Sequence, residues 1–284
     1  MAKCLVTGHM GYIGSRLYKR LKDDGHEVMG VDRRADNPDE RLDIRHKLFH
    51  RHTPWPKFQA EYVFHLAAQP SVQWSIENPS TALSHNVHGS SAVLDYSKHV
   101  GAKRVIFASS AAVYGASSPY GLHKLMTEME CSLYAKLYGL DTVSLRYFNV
   151  YSEDQQFGGA YSTVIAAWME MMRQNKPLRV DGDGSQTRDF IHIDDIIDAN
   201  IFCMNHEGNL AGLSFDVGTG VETSLNEVRD IVNQYCEPEW CNADSRLGDI
   251  HFSRANTQGL EGLGWKSKID IVDGLKKCFG GNNE

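Results

Sequence analysis

No apolar run in this chain approaches the roughly 20 residues needed to cross a bilayer. No charged and apolar leader precedes the first strand pattern either, so the chain is expected to be cytoplasmic, with no membrane partner. Basic blocks are also missing: 29 Lys and Arg against 36 Asp and Glu leave a net charge of -7, which argues against nucleic acid. Any anionic ligand must then be held by a few local arginines. The cysteines Cys4, Cys131, Cys203, Cys236, Cys241 and Cys278 are scattered, and the nearest pair, Cys236 and Cys241, has no second Cys or His pair beside it. No metal is expected and the thiols should be reduced. His50 and His52 have no acidic or thiol companions and read as surface residues. Repeats and low-complexity segments are absent. What remains is a soluble chain of 284 residues, 42% hydrophobic and 23% charged, long enough to bury a large core.

The opening segment KCLVTGHMGYIGSRLYKRLKDDGHEVMGVD has an order with chemical meaning. A short apolar run, Cys4 to Val6, enters a turn containing Gly8, Gly11 and Gly14; a helical pattern follows at Ile13, Leu17 and Leu21, then a second strand ends at Asp32. Glycines let the backbone approach a pyrophosphate, and a helix N-terminus favours its charge, so the segment predicts a dinucleotide site. Asp32 would accept hydrogen bonds from the adenosine ribose and repel a 2′-phosphate, which favours NAD over NADP. Strand and helix patterns continue to alternate through EYVFHLAA, a helical stretch around Asn86 to His99, KRVIFASS, a helix after Tyr120, and DTVSLRYFNV. The expected fold is therefore α/β, a Rossmann-type doubly wound parallel sheet with ligands at the carboxyl ends of its strands. Beyond Tyr151 the pattern turns irregular and reads as a smaller α/β substrate-binding lobe. The expected division is an NAD-binding domain over 1–150, with later strands near 189–200 and 213–218 added to it, and an interleaved lobe over 151–284.

In ASSAAVYGASSPYGLHK, Ser110, Tyr120 and Lys124 form a candidate catalytic set. Tyr120 and Lys124 are one helical turn apart and share a face, so the ammonium can sit near the phenol. A phenol is a poor base at neutral pH, and a neighbouring cation favours its anion. Tyr18 and Lys22 repeat the same spacing, so the pair acquires meaning only from its surroundings. Asp194 and Asp195 precede an apolar helical run and read as helix-capping acids rather than an acid/base pair.

Taken in order, TGHMGYIG, HLAAQ, ASSAAVYG, YGLHK, RYFNVY, GDGSQTRDFIHIDD and RLGDI closely resemble the extended short-chain dehydrogenase/reductases that act on nucleotide sugars. Within these NAD-dependent epimerases and dehydratases, the likeness is greatest to the UDP-glucose and UDP-N-acetylglucosamine 4-epimerases. The resemblance implies that Gly8, Gly11, Tyr12, Ile13 and Gly14 hold the pyrophosphate and that Asp43 and Ile44 lie near adenine. It places Leu66, Ala67, Ala68, Gln69, Asn86 and Phe148 along the cofactor, together with Tyr120 and Lys124. Asn149, Arg188, Arg246 and Asp249 would hold the substrate's nucleoside diphosphate, beside Ser110 at the sugar. The same resemblance implies that the residue seven positions after Arg246, Ser253 in RLGDIHFS, lines the pocket near the sugar's carbon 2, where a tyrosine would exclude a 2-acetamido group and a small residue admits it.

The implied activity is 4-epimerisation of a UDP-hexose or UDP-N-acetylhexosamine through a transient 4-keto sugar. The alternatives are a 4-keto-sugar reductase or a nucleotide-binding protein without turnover. Ala111 and Ala112 follow Ser110 where dehydratases and decarboxylases of this family carry an acid, which argues against both. A homodimer is expected through the helices following Asn86 and Tyr120, with Leu125, Met129, Leu133 and Leu137 as an apolar stripe. The chain departs from its family in one conspicuous place: only GASSP joins Tyr114 to Tyr120, where most members have a longer segment. Asp181 also stands where many relatives place an aromatic against the base.

Overall fold

The computed structural model describes residues 1–45, 58–156, 158, 163–244 and 252–280. These form two compact units, Met1–Arg146 with Ile197–Phe215, and Tyr147–Ile196 with Asp216–Glu284.

The strands are β1 (Lys3–Thr7), β2 (Glu27–Val31), β3 (Tyr62–His65), β4 (Arg104–Ser110), β5 (Thr142–Tyr147), β6 (Asn149–Tyr151), β7 (Leu178–Asp181), β8 (Thr187–Arg188), β9 (Phe190–His192), β10 (Leu213–Val217), β11 (Thr223–Ser224) and β12 (Trp240–Ala243). The helices are α1 (Tyr12–Asp23), α2 (Val72–Glu77), α3 (Pro79–Leu83), α4 (Gly89–His99), α5 (Pro119–Tyr138), α6 (Val164–Arg173), α7 (Ile193–Asn205), α8 (Leu225–Val232), α9 (Gln258–Leu263) and α10 (Ile271–Phe279).

Six strands make one sheet in the order β10-β5-β4-β3-β1-β2, and the β2–β1, β1–β3 and β3–β4 pairs are parallel. Its central strands read as apolar runs because both faces are covered; Val105, Ile106 and Phe107 of β4 are all buried. Strand order reverses between β1 and β3, where β2 lies to one side and β3 to the other. The crevice beyond such a reversal is where open α/β sheets bind ligands. Phe190–His192 lies in a separate two-stranded sheet. The strand is three residues long, runs straight into α7 and ladders in parallel with β6.

Local sequence explains the helices that matter for the site. In α1, Leu17 and Leu21 face the core, and Arg20 and Lys22 occupy the last turn, where cations suit the helix dipole. Ser118 caps α5 by accepting the Gly121 N–H at 3.2 Å, Pro119 fills its first position, and Gly139 ends it at φ +68°. Between α3 and α4 the chain widens into a π-helical turn, Ser84–His88. The second unit closes around Trp168, Tyr151, Ile165, Leu178 and Val228, with Trp168 edge-on to Trp240 at 5.0 Å.

Candidate active site

The glycine turn lies at the strand reversal. Gly8 leaves β1 at φ +74°, and a Cβ there would stand 2.8 Å from the Ala67 nitrogen. Gly11 is the N-cap residue of α1 and offers no side chain; Tyr12, Ile13 and Gly14 form the first turn, which carries no acid. A Cβ on Gly14 would come within 2.1 Å of the Gly8 carbonyl oxygen, so only glycine lets the helix start so close to the turn. The first turn of the helix thus comes close to the glycine turn and carries no acidic side chain of its own.

Beside it, HLAAQ is held by a chain of neutral hydrogen bonds. Ala67 N–H donates to Thr7 Oγ1 at 3.2 Å; Thr7 Oγ1 and His65 Nδ1 are 2.8 Å apart; His65 Nε2 and Ser90 Oγ are also 2.8 Å apart; and Ser90 Oγ donates to the Asn86 carbonyl at 2.6 Å. Burial, with the charge of Lys124 as a lesser cause, pushes His65 down from 6.5 to about 3, so its imidazole is neutral. Asn86 closes the chain: its Oδ1 takes the Gln69 N–H at 2.7 Å and its Nδ2 donates to the Gln69 carbonyl at 3.1 Å. Leu66, Ala67, Ala68 and Gln69 thus stand on a braced loop. Its supports Thr7, His65 and Ser90 are legible only once the strands are adjacent.

Asp32 follows β2, and its carboxylate accepts from Arg34 Nε at 3.1 Å and from the Arg34 N–H at 2.9 Å. Burial works to raise its pKa, but the Arg34 bonds and charge and the Met10 N–H outweigh it and hold the carboxyl below its ordinary value. Asp43 pairs with Arg45, and Ile44 is buried in the sheet's core cluster. The glycine cradle and the ionised acid at the end of β2 fit a dinucleotide.

Ser110 ends β4, and its Oγ accepts the Ala112 N–H at 3.2 Å as the cap of a 3-10 turn, Ala111–Val113. Tyr120 and Lys124 lie one turn apart on α5. Lys124 is 4% exposed; its Nζ donates to the Ala108 carbonyl at 2.6 Å and stands 5.8 Å from the centre of the Tyr120 ring. Burial pushes Lys124 down to about 7, and the charge of Glu128 opposes the shift. Despite the short connection, α5 begins directly against the turn that follows Ser110: a Cβ on Gly121 would be 2.1 Å from the Ala112 oxygen. The linker manages this with Gly115 at φ +73° and Ala116 at φ +36°. Ser75, fully buried on α2, fixes the same helix start by accepting the Tyr120 N–H at 3.1 Å, and no sequence pattern announced it. Next to the linker is a cleft of about 460 Å³, lined by α3, residues 116–119, Leu122 and His123.

One turn beyond Lys124, Glu128 accepts from Ser109 Oγ at 2.5 Å, from Arg146 Nε at 2.9 Å and Nη2 at 2.7 Å, and from Ser214 Oγ at 3.1 Å. Arg146 also donates to Tyr114 Oη at 2.9 Å. The hydrogen bond to Glu128, partly offset by burial, raises the Arg146 pKa above its ordinary value. This cluster joins β4, α5, β5 and β10 one turn from the candidate catalytic set, and Glu128 was not singled out from sequence.

Phe148, Asn149, Arg188 and Ser253 belong to the second unit. Phe148 is buried and its N–H donates to the Val217 carbonyl at 3.1 Å. Asn149 on β6 donates to the Asp189 carbonyl from its N–H at 3.0 Å and its Nδ2 at 3.2 Å. Arg188 on β8 is half-buried and bonds the Thr187 carbonyl at 2.8 Å; Ser253 is half-buried. Arg246 and Asp249, like His50 and His52, lie outside the described residues. Asp194 and Asp195 fall in the first turn of α7, and the Asp195 carboxylate accepts the N–H groups of Lys268 and Ile269, each at 3.0 Å. All six cysteines are unpaired, and no helix among the described residues is long and apolar enough to cross a membrane.

Residues 4–218 match the sequence model of the NAD dependent epimerase/dehydratase family. The chain is 33% identical to the UDP-glucose 4-epimerase of Mycolicibacterium smegmatis, over 97% of this chain and 96% of the other. Among solved structures it is similar to the UDP-N-acetylglucosamine 4-epimerase of Methanobrevibacter ruminantium in complex with UDP-N-acetylmuramic acid, with TM-score 0.87, 28% identity, and coverage of 98% of this chain and 97% of that one. It is also similar to the UDP-glucose 4-epimerase of Thermus thermophilus in complex with NAD, with TM-score 0.84, 28% identity, and coverage of 98% and 99%.

Proposed function

The chain belongs to the NAD-dependent epimerase/dehydratase family, and on that premise we propose that it interconverts the 4-epimers of a UDP-hexose or UDP-N-acetylhexosamine. The observation that carries this reading is the buried Lys124 ammonium, 5.8 Å from the Tyr120 ring on one helix face, in the unit that also holds the glycine cradle. Tyr120, as phenolate, takes the proton of the sugar's 4-hydroxyl, and Ser110 hydrogen-bonds the same oxygen. Lys124 favours the phenolate by its charge and holds the nicotinamide ribose. Gly8, Gly11 and the first turn of α1 receive the pyrophosphate, and Asp32 the adenosine ribose. The chemistry NAD supplies when bound is that of a reversible hydride acceptor, so a 4-keto sugar forms transiently and no net oxidation results. On the substrate side, Asn149, Arg188, Arg246 and Asp249 hold the UDP diphosphate, and Ser253 leaves room for a 2-acetamido group. A homodimer is supported by the exposed apolar stripe of Met129, Leu133 and Leu137 along α5, with Leu125 half-buried beneath it.

The test is incubation with UDP-glucose, UDP-galactose and their N-acetylated counterparts, with products resolved by NMR. Epimerisation without stoichiometric use of cofactor is expected, on the acetylated pair above all. Cofactor consumed one for one makes the protein a keto-sugar reductase, and binding without hydride exchange makes it a non-catalytic nucleotide-binding protein. Ser253→Tyr should suppress the acetylated substrates while sparing UDP-glucose, because the steric penalty falls only on the larger substituent. Equal loss on both removes Ser253 from the sugar pocket.

A further inference from the structure

Asp189 is a buried acid whose partners reach several of the segments assigned to the substrate. It follows Arg188, precedes β9, and is 0% exposed. Its Oδ1 accepts the Thr219 N–H and hydroxyl, both at 2.8 Å, and its Oδ2 accepts the N–H groups of Gly220 at 2.8 Å and Ala255 at 3.1 Å. Its backbone carbonyl accepts both bonds from Asn149. Gly218 packs so tightly here that a Cβ would stand 2.7 Å from Asp189 Oδ2 and 2.5 Å from the Ala255 Cβ. Among the described residues no lysine or arginine pairs with this carboxylate; a cage of N–H and O–H donors satisfies it.

We propose that Asp189 is the positioning residue of the substrate side. Its carboxylate sets where the Gly218–Gly220 turn and the segment carrying Ser253 and Ala255 stand, beside the Asn149 held by its backbone carbonyl, and with them the grip on the nucleotide diphosphate and the space left at the sugar. The chemistry requires an acid. A carboxylate has two acceptor oxygens and no donor, so both halves of the cage can converge on it. Asparagine of the same shape turns an NH2 group toward one pair of donors, and that half must open. The Oδ2 half holds Ala255, two residues from Ser253. The inference rests on the proposed reading of the second unit as the nucleotide-sugar side.

Asp189→Asn in the full chain is therefore expected to raise KM for the UDP-sugar and Kd for UDP by about tenfold or more. The value of kcat at saturation should stay within about twofold, because Ser110, Tyr120 and Lys124 are carried by the other unit. NAD affinity by calorimetry should not move. Amide hydrogen exchange in the ligand-free protein should quicken at Thr219, Gly220 and Ala255 by about tenfold or more, and not at the amides of α5. UDP affinity within about twofold of wild type, or equal losses on UDP and NAD, overturns the proposal. Should the wild type bind no UDP-sugar, the proposed function fails, and amide exchange decides the positioning role without any ligand. Where Asp189→Asn unfolds the second unit, Thr219→Val removes one hydroxyl donor and keeps the backbone bonds. It should raise KM in the same direction by about two- to fourfold, and no change overturns the proposal.

Discussion

Glu128 in the first unit and Asp189 in the second are both carboxylates removed from water, yet they are satisfied by opposite means. Glu128 faces a guanidinium and two serine hydroxyls. Asp189 faces three backbone N–H groups and one threonine hydroxyl. The difference follows from where each stands. Around Glu128 lie α5, β4, β5 and β10, whose main-chain groups are already committed to helix or ladder, so only side chains can meet the charge. Around Asp189 lie loop ends, whose N–H groups have no ladder to join and can converge on one acceptor. An acid among regular elements needs a cation, whereas an acid among loops can use the backbone. The first arrangement fixes elements to one another beside the candidate catalytic set, and the second fixes loops that carry the proposed substrate residues.

The largest expected effect separates chemistry from recognition. Tyr120→Phe should lower turnover by roughly 10²- to 10⁴-fold, the range for a lost acid–base group, without weakening UDP binding. A matching fall in UDP affinity, measured by calorimetry, would break the division of labour between the units. Next comes Arg146→Met, which strands Glu128 as a buried unpaired charge and should cost about 3–5 kcal/mol in denaturant unfolding. The paired Glu128→Leu/Arg146→Met variant should recover most of that, because two apolar side chains leave no charge to satisfy. If the double variant is as unstable as the single one, the cluster is held by packing and not by its charges. Asp189→Asn should cost less, about 1–3 kcal/mol, since it leaves donors unpaired but no stranded charge.

The smallest effect concerns pH. Burial holds His65 at about 3 instead of 6.5, so between those values the unfolded chain binds a proton that the folded chain refuses. The stability this contributes is complete above pH 6.5 and drains away as pH falls toward 3, at up to about 1.4 kcal/mol per pH unit. Unfolding measured from pH 6.5 to 5, above the carboxylate range, should show this slope, and His65→Asn should flatten it. Amides of the first unit should open before those of the second. A slope that persists in His65→Asn would assign the acid sensitivity elsewhere.

The sequence by itself determined what depends on near neighbours in the chain. The glycine turn, the helix after it and Asp32 follow each other within one βαβ stretch, and Tyr120 and Lys124 share a face because a helix repeats every 3.6 residues. Those signals need no knowledge of which strands are adjacent. What only the tertiary structure decided is which distant residues complete each environment. Gly121 seats α5 on the turn after Ser110 despite the short linker, Asn86 turns its amide to the Gln69 backbone, Phe190–His192 joins β6 rather than the large sheet, and Asp189 draws in Ala255 from 66 residues away. A buried polar group must find its partners wherever folding brings donors and acceptors within about 3 Å. That condition is set by three-dimensional proximity, on which local periodicity is silent.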